Sequence, residues 1–290
     1  MQINEIDKYL DYFKENRSRQ TAYVYRWQIR EYFSFLKNHS QDVQEITSPI
    51  ESIKSYMEFQ IAERDWSRSS VDVALHALKW FYEKVMNRTV ETQFFLNRGR
   101  KTEHKPRILS REEVDRIWEA AAKLENPQAT MIHVGWEACL RTGELVPLKG
   151  ENFLPDGILK VKVLKTKQAT KQIGLTSTIF EMVESLISKP RTPVFRRPVK
   201  EGYMRRYTPG EWSYWFQQWT ETVLDPKGIR WHDFARHTRL THYAEDTKSF
   251  LAVLQLSGHQ NPAVCRKYFQ MAKVFVPELA LVKTVEFFQG

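Results

Sequence analysis

Four separated stretches of this 290-residue chain carry a charged or nucleophilic side chain where folding alone gives little reason for one. In WEACLRTGELVPLKGENF, Arg141 interrupts an apolar helical run directly ahead of Thr142, Gly143 and Glu144, where a turn can open a second helix. An arginine there should be partly buried, and a buried guanidinium needs an anionic partner, which Glu144 can supply. The segment WHDFARHTRLTHYAE sets His232, Arg236 and His237 near one helix start, and LSGHQNPAVCRKYFQM places His259 nine residues before Tyr268. A tyrosine hydroxyl, with an ordinary pKa of about 10, is a poor nucleophile at neutral pH until its proton is accepted or its anion stabilised. If it attacks a phosphodiester, negative charge gathers on two non-bridging oxygens, which two guanidiniums can grip with paired, charge-assisted hydrogen bonds. Arg141 and Arg236 are suited to that role.

The elements that must position these groups fall into two regions. From residue 5 to about 95, apolar positions recur at helical spacing, as in Tyr25, Ile29, Tyr32, Phe33 and Leu36, which predicts four or five short amphipathic helices. Thr47, Ser48 and Pro49 open one helix, and Ser67 to Ser70 open another. Their polar faces carry Arg17, Arg19, Arg26, Arg30, Arg68 and Lys79, of which Arg19, Arg26 and Arg68 are candidates for contact with a polyanion. The segment NRGRKTEHKPR, residues 97–107, has five Lys or Arg and no apolar periodicity, which marks a basic linker with Arg98, Arg100 and Lys101 as further candidates. The expected division is therefore a helical domain over 1–96, the linker, and a second domain over 108–290. Ser110 with Glu113 forms a capping box that opens this second domain. The alternation of GILKVKVLKTKQATKQIGL predicts a β-hairpin from Gly157 to Leu175, and everything after Gly210 reads as helix and loop.

Composition bounds the partners. The 44 Lys and Arg against 35 Asp and Glu leave a net charge of +9, which favours a polyanion, while 42% hydrophobic and 13% aromatic residues suffice for two cores. No apolar run approaches the roughly 20 residues needed to span a bilayer, and the N-terminus is too polar for a signal peptide. The expectation is a cytoplasmic protein with a polyanionic partner and no membrane partner. Cys139 and Cys265 are too few for a disulfide scaffold or a cysteine-rich zinc site. Neither a Walker-type glycine loop nor a carboxylate cluster for two Mg²⁺ ions is found, so no cofactor or metal is expected.

Taken in order, the four stretches resemble the phage-integrase family of tyrosine site-specific recombinases. The matching residues are Arg141 with Glu144 and Leu145, Lys165 in the hairpin, Arg236 with His237 and Thr238, Gly258 with His259, and Tyr268. The intervals of 23 residues from Arg236 to His259 and nine to Tyr268 fit the family's spacing. The helical N-terminal half is similar to the family's core-binding domain. The resemblance implies a mainly α chain: a helical, SAM-like core-binding domain followed by a mixed α/β catalytic domain with a small antiparallel sheet. It also implies duplex DNA with specific recombination sites as substrate and a 3′-phosphotyrosyl intermediate on Tyr268. A homo-tetramer working through a Holliday junction is implied too, with room for accessory DNA-bending or directionality factors. In that scheme Lys165 protonates the departing 5′ oxygen, with Lys167 as the alternative on the same strand face. His259 donates to a phosphate oxygen.

One position departs from the family's pattern. The commonest arrangement has a His three residues before the second Arg, where this chain has Asp233, with His232 one residue further back. Residues three and four apart both share a helix face, so His232 can still reach the site while Asp233 caps or orients. The alternative is that Asp233 occupies the catalytic slot and repels a phosphodiester, leaving a DNA-binding protein with an impaired site. A type IB topoisomerase-like enzyme shares the chemistry, but the helical N-terminal half and small size argue against it.

Overall fold

The computed structural model describes residues 19–39, 49–91, 99, 106–163, 170–200, 202–224, 228–259 and 261–274. The chain divides into two compact units, Met1–His104 and Lys105–Gly290. In the first, three helices are described: α1 (Arg19–Asn38), α2 (Pro49–Arg64) and α3 (Arg68–Lys84). Pro49 is the first helical residue of α2, where its missing N–H costs nothing. Ser67 caps α3 by accepting the Ser70 amide at 3.3 Å. Ile29, Tyr32, Tyr56, Leu78 and Phe81 fill the centre at 0% exposure. Tyr32 there bonds the Tyr82 hydroxyl at 2.7 Å, so these two buried hydroxyls satisfy each other.

In the second unit the expected capping box of Ser110 with Glu113 starts α4 (Arg111–Ala121). It continues through α5 (Gln128–Glu137), α6 (Thr142–Leu145), strands β1 (Phe153–Leu154), β2 (Ile158–Lys162) and β3 (Thr170–Gly174), and α7 (Ser177–Glu184). The sheet is antiparallel in the order β1-β2-β3. Its register pairs Leu159 with Ile173 and Val161 with Lys171. Leu159 and Val161 face the core, and Lys160 and Lys162 face solvent, as period-two alternation requires. A second hairpin, β4 (Arg196–Lys200) and β5 (Tyr203–Arg206), was not foreseen, because its basic residues hide the alternation. It is held from the first turn of α8 (Pro209–Val223), where Glu211 takes both Arg197 and Arg205. A π-helical turn (Asp233–Thr238) then leads into α9 (Arg239–Thr247), followed by α10 (Phe250–Ser257) and α11 (Ala263–Met271).

Trp231 fastens the approach to the π turn. Its indole N–H donates to the Leu140 carbonyl at 2.9 Å, and its ring lies flat against Gly135. A Cβ built on Gly135 would fall 2.2 Å from Trp231 Cζ2, so only glycine leaves room. Trp212, Phe216 and Phe234 pack around the same ring, with centroids 5.3, 4.9 and 6.0 Å from it. Arg141 sits differently from expectation. The helix before it stops at Glu137, because Cys139 turns left-handed at φ 53°, and Arg141 is the N-cap of α6 rather than a residue within a helix.

The wedge between Gly135 and Trp231 makes a stability prediction. Gly135→Ala should cost about 1–3 kcal/mol, the usual penalty for overpacking a filled core. Denaturant midpoints of the two proteins measure it, and an unchanged midpoint would mean the indole is not seated against Gly135.

Candidate active site

The site is assembled where two helices end. The C-terminal carbonyls of a helix lack intrahelical donors and carry partial negative charge, so they attract cations. The chain leaving α5 presents the Ala138 and Cys139 carbonyls, and the last turn of α10 presents those of Leu256 and Ser257. Arg236, fully buried, donates to Cys139 O at 2.8 Å and to Ser257 O at 2.9 Å. Its Nη2 also points at His259 Nε2 at 3.2 Å. A guanidinium has only donors, so this His259 nitrogen accepts, and the ring's proton sits on Nδ1, 3.6 Å from the Cys265 sulfur. Arg236 Nε has no hydrogen-bond partner among the described residues.

Arg141 reaches the same place from the start of α6. It donates to Glu144 Oε1 at 3.0 Å, and its own amide donates to Glu144 Oε2 at 3.0 Å. Burial works against ionising Glu144, but the Arg141 amide and the nearby charges of Lys171, Arg141 and Arg236 prevail and hold its carboxyl below the ordinary range. The expected Arg141–Glu144 pair is therefore present. Arg141 nevertheless keeps 18% of its side chain exposed, towards a cavity of about 410 Å³ that His232, Arg236, His259 and Tyr268 also line.

Tyr268 stands on α11 with 1% exposure. Its ring lies parallel to His259, centroids 6.1 Å apart, and Lys267 Nζ is 5.1 Å over its face. Burial pushes its hydroxyl well above the usual tyrosine pKa, opposed by the charges of Arg236 and Arg141. The hydroxyl is thus held protonated in the free protein, and the two guanidiniums are the groups that favour its anion.

The π turn decides how the departure from the family pattern is accommodated. A π turn takes in one extra residue and closes i→i+5 hydrogen bonds, so residues four apart align better than residues three apart. His232 is exposed and lines the cavity, its ring edge-on to His237 at 4.8 Å. Asp233 is buried on another side, its Oδ2 accepting from Arg230 Nε at 2.9 Å.

Of the remaining sequence-based candidates, Lys165 and its alternative Lys167 lie outside the described residues, as do Arg98, Arg100 and Lys101. Arg19 begins α1, Arg26 is a half-buried residue of the same helix, and Arg68 is the first residue of α3. All three belong to the first unit. Sequence reasoning missed Lys267 and Lys171. Lys171 had a signal: it lies in phase with Ile173 and Leu175 on the inward side of its strand, where a lysine is out of place.

A model of the phage integrase family matches residues 107–274, and a model of the phage integrase N-terminal SAM-like domain matches residues 2–92. None of the curated proteins matches the chain in sequence. Among solved structures it is similar in fold to a Tn1549 transposon integrase in complex with transposon right end DNA, at 13% identity over 100% of both chains and a TM-score of 0.65. It is also similar to the XerH site-specific recombinase bound to a palindromic difH substrate, at 15% identity over 100% of this chain and 85% of that one, TM-score 0.65. A lambda integrase dimer bound to a COC′ core site gives 16% identity over 91% and 93% of the chains, again with a TM-score of 0.65.

The placement of His232 and Asp233 separates their variants. His232→Ala should leave the melting temperature near the parent's and slow phosphodiester cleavage by roughly 100-fold, the usual scale for a proton-transfer group. Asp233→Asn should cost on the order of 1 kcal/mol of stability, since its partner Arg230 is mostly exposed, and slow cleavage less. Single-turnover rates beside melting curves distinguish them; a dead Asp233→Asn with a normal His232→Ala would reverse the assignment.

Proposed function

This chain belongs to the phage integrase family, and we propose that it is an active tyrosine recombinase that cuts and rejoins duplex DNA at specific sites. The observation that carries the reading is the convergence of Arg141, Arg236, His232, His259 and Tyr268 on one cavity. In the proposed reaction the Tyr268 oxygen attacks phosphorus, a new P–O bond forms to tyrosine, and the bond to the 5′ oxygen breaks. His232 takes the tyrosine proton. Lys165 returns a proton to the departing 5′ oxygen, a role that rests on its place in the sequence pattern. Arg141 and Arg236 bind the non-bridging oxygens as charge accumulates, which is worth about 100- to 1,000-fold per donor by analogy with oxyanion holes. His259 joins them once its Nε2 carries a proton. The covalent 3′-phosphotyrosine keeps the bond energy, so a 5′-hydroxyl from another strand can attack in reverse.

The substrate follows from charge and family. A net charge of +9 suits a polyanion. The neighbouring Tn1549, XerH and lambda structures were solved with DNA. We propose duplex DNA as partner and a homo-tetramer as the working assembly, since two sites must be cut and exchanged. Asp233 does not weaken this reading, because its carboxylate is occupied by Arg230.

Two outcomes test it. Tyr268→Phe should bind duplex DNA as the parent does and form no covalent adduct on a nicked suicide substrate; adduct formation by that variant would refute the nucleophile, and absence of adduct with the parent would refute the activity. Affinity should also fall steeply with salt, since each neutralised phosphate releases condensed counterions. Titrations at low and physiological salt that gave equal affinity would refute phosphate contact as the source of binding.

A further inference from the structure

We propose that Lys171 is a positioning residue for strand cleavage: its buried ammonium ties the end of α5, which leads to Arg141, to the end of α10, which leads to His259. The proposal rests on the reading of the cavity as a phosphodiester-cleaving site. Lys171 is 8% exposed and sits on β3 opposite Val161. Its Nζ donates to Ala138 O at 2.9 Å, to Leu256 O at 3.2 Å and to Cys139 O at 3.5 Å. An ammonium has three N–H groups, and here three carbonyls receive them.

These acceptors come from the same two helix ends that Arg236 holds, so two cations bridge one pair of segments. Arg236 binds on the cavity side. Lys171 does not line the cavity; it lines an open groove on the other side, with Glu137, Arg239 and Tyr243. Gly258 lies against the lysine stem: its backbone is left-handed at φ 65°, which favours glycine, and a Cβ there would lie a tight 3.3 Å from Lys171 Cδ. The glycine before His259 thus gives way to the lysine stem. An ammonium is costly to bury, and a neutral side chain would hold a purely structural contact more cheaply. What the charge adds is a three-way grip on the two segments that Arg236 ties together from the cavity side.

The ammonium is also sensitive to alkali. Burial, with Arg236 and Arg141 nearby, lowers its pKa to about 8, against the pull of Glu144. The neutral amine has one donor fewer, so the grip loosens above that pH.

The test is single-turnover adduct formation by the full chain on a saturating nicked duplex, with affinity and melting temperature measured beside it. Lys171→Met should form the adduct roughly 10- to 100-fold more slowly, as misplacement of reacting groups does, while DNA affinity stays near the parent's. The parent's rate should fall above about pH 8 and that decline should be missing from the variant. Burial holds Tyr268 protonated over this range, and its ionisation would change the rate in the opposite direction. A variant as fast as the parent, or one that loses affinity and rate in proportion, would overturn the proposal. If Lys171→Met does not fold, the parent's own profile decides: a rate that is flat or rising from pH 7 to 9 overturns it. A parent that forms no adduct at any pH would overturn the cleavage reading itself, a different result from a parent and variant of equal rate.

Discussion

One buried guanidinium organises the second unit. Arg236 is fully buried, so its donors must find partners inside; the carbonyls of Cys139 and Ser257 take one from each terminal nitrogen, and Nε is left without one among the described residues. Those two carbonyls stand at the ends of α5 and α10. Bringing them to one cation fixes where the next residues of each segment go, and the next residues are Arg141 and His259. Tyr268 follows on α11, packed in the cluster with Cys139, Leu240 and Phe269. Truncating such a buried, hydrogen-bonded charge is expected to be costly, because the Ser257 carbonyl would lose its donor and Lys171 would be left to bridge the two helix ends. The structural demand on Arg236 and the chemical role proposed for it therefore coincide.

The balance of charge around the cavity fits an anionic ligand better than an empty pocket. Arg141, Arg236 and Lys267 line it, and Glu144 is the carboxylate paired with Arg141 behind them. Glu144 stays ionised because the Arg141 amide and the charges of Lys171, Arg141 and Arg236 outweigh its burial. Tyr268 is the reverse case: burial keeps its proton on, and only the guanidiniums favour releasing it. A phosphate entering the cavity would occupy the guanidiniums, so the proton must leave as the new bond forms rather than beforehand. That requirement gives His232 its place in the scheme.

How much of this was legible in the sequence depends on how local each feature is. The Ser110 capping box, the Ser67 cap and the β2–β3 hairpin are written in neighbouring residues, and each was readable. The site residues were readable as types in order, because an Arg or His at a fixed interval needs no coordinates to be noticed. Arg141 was placed inside a helix because its left flank is apolar, and nothing in that flank announced the left-handed turn at Cys139. The spacing between His232 and Arg236 left two residues in competition, and only the fold, through a π turn packed on Trp231 and Phe234, puts His232 at the cavity and Asp233 against Arg230. Lys171 was passed over because its partners, Ala138 and Leu256, are 33 and 85 residues away in sequence. The β4–β5 hairpin was missed for the opposite reason, since its strands bury too little apolar surface to leave a pattern.

The central claim is that the Tyr268 hydroxyl becomes joined to the 3′ end of a cut strand. It is tested most directly by trapping the parent protein on a nicked duplex, digesting both components, and sequencing the nucleotide-bearing peptide by mass spectrometry. The account predicts a 3′-phosphonucleotide on Tyr268 in the peptide that follows Lys267. Attachment to any other residue, or a 5′-linked phosphate on Tyr268, would contradict it.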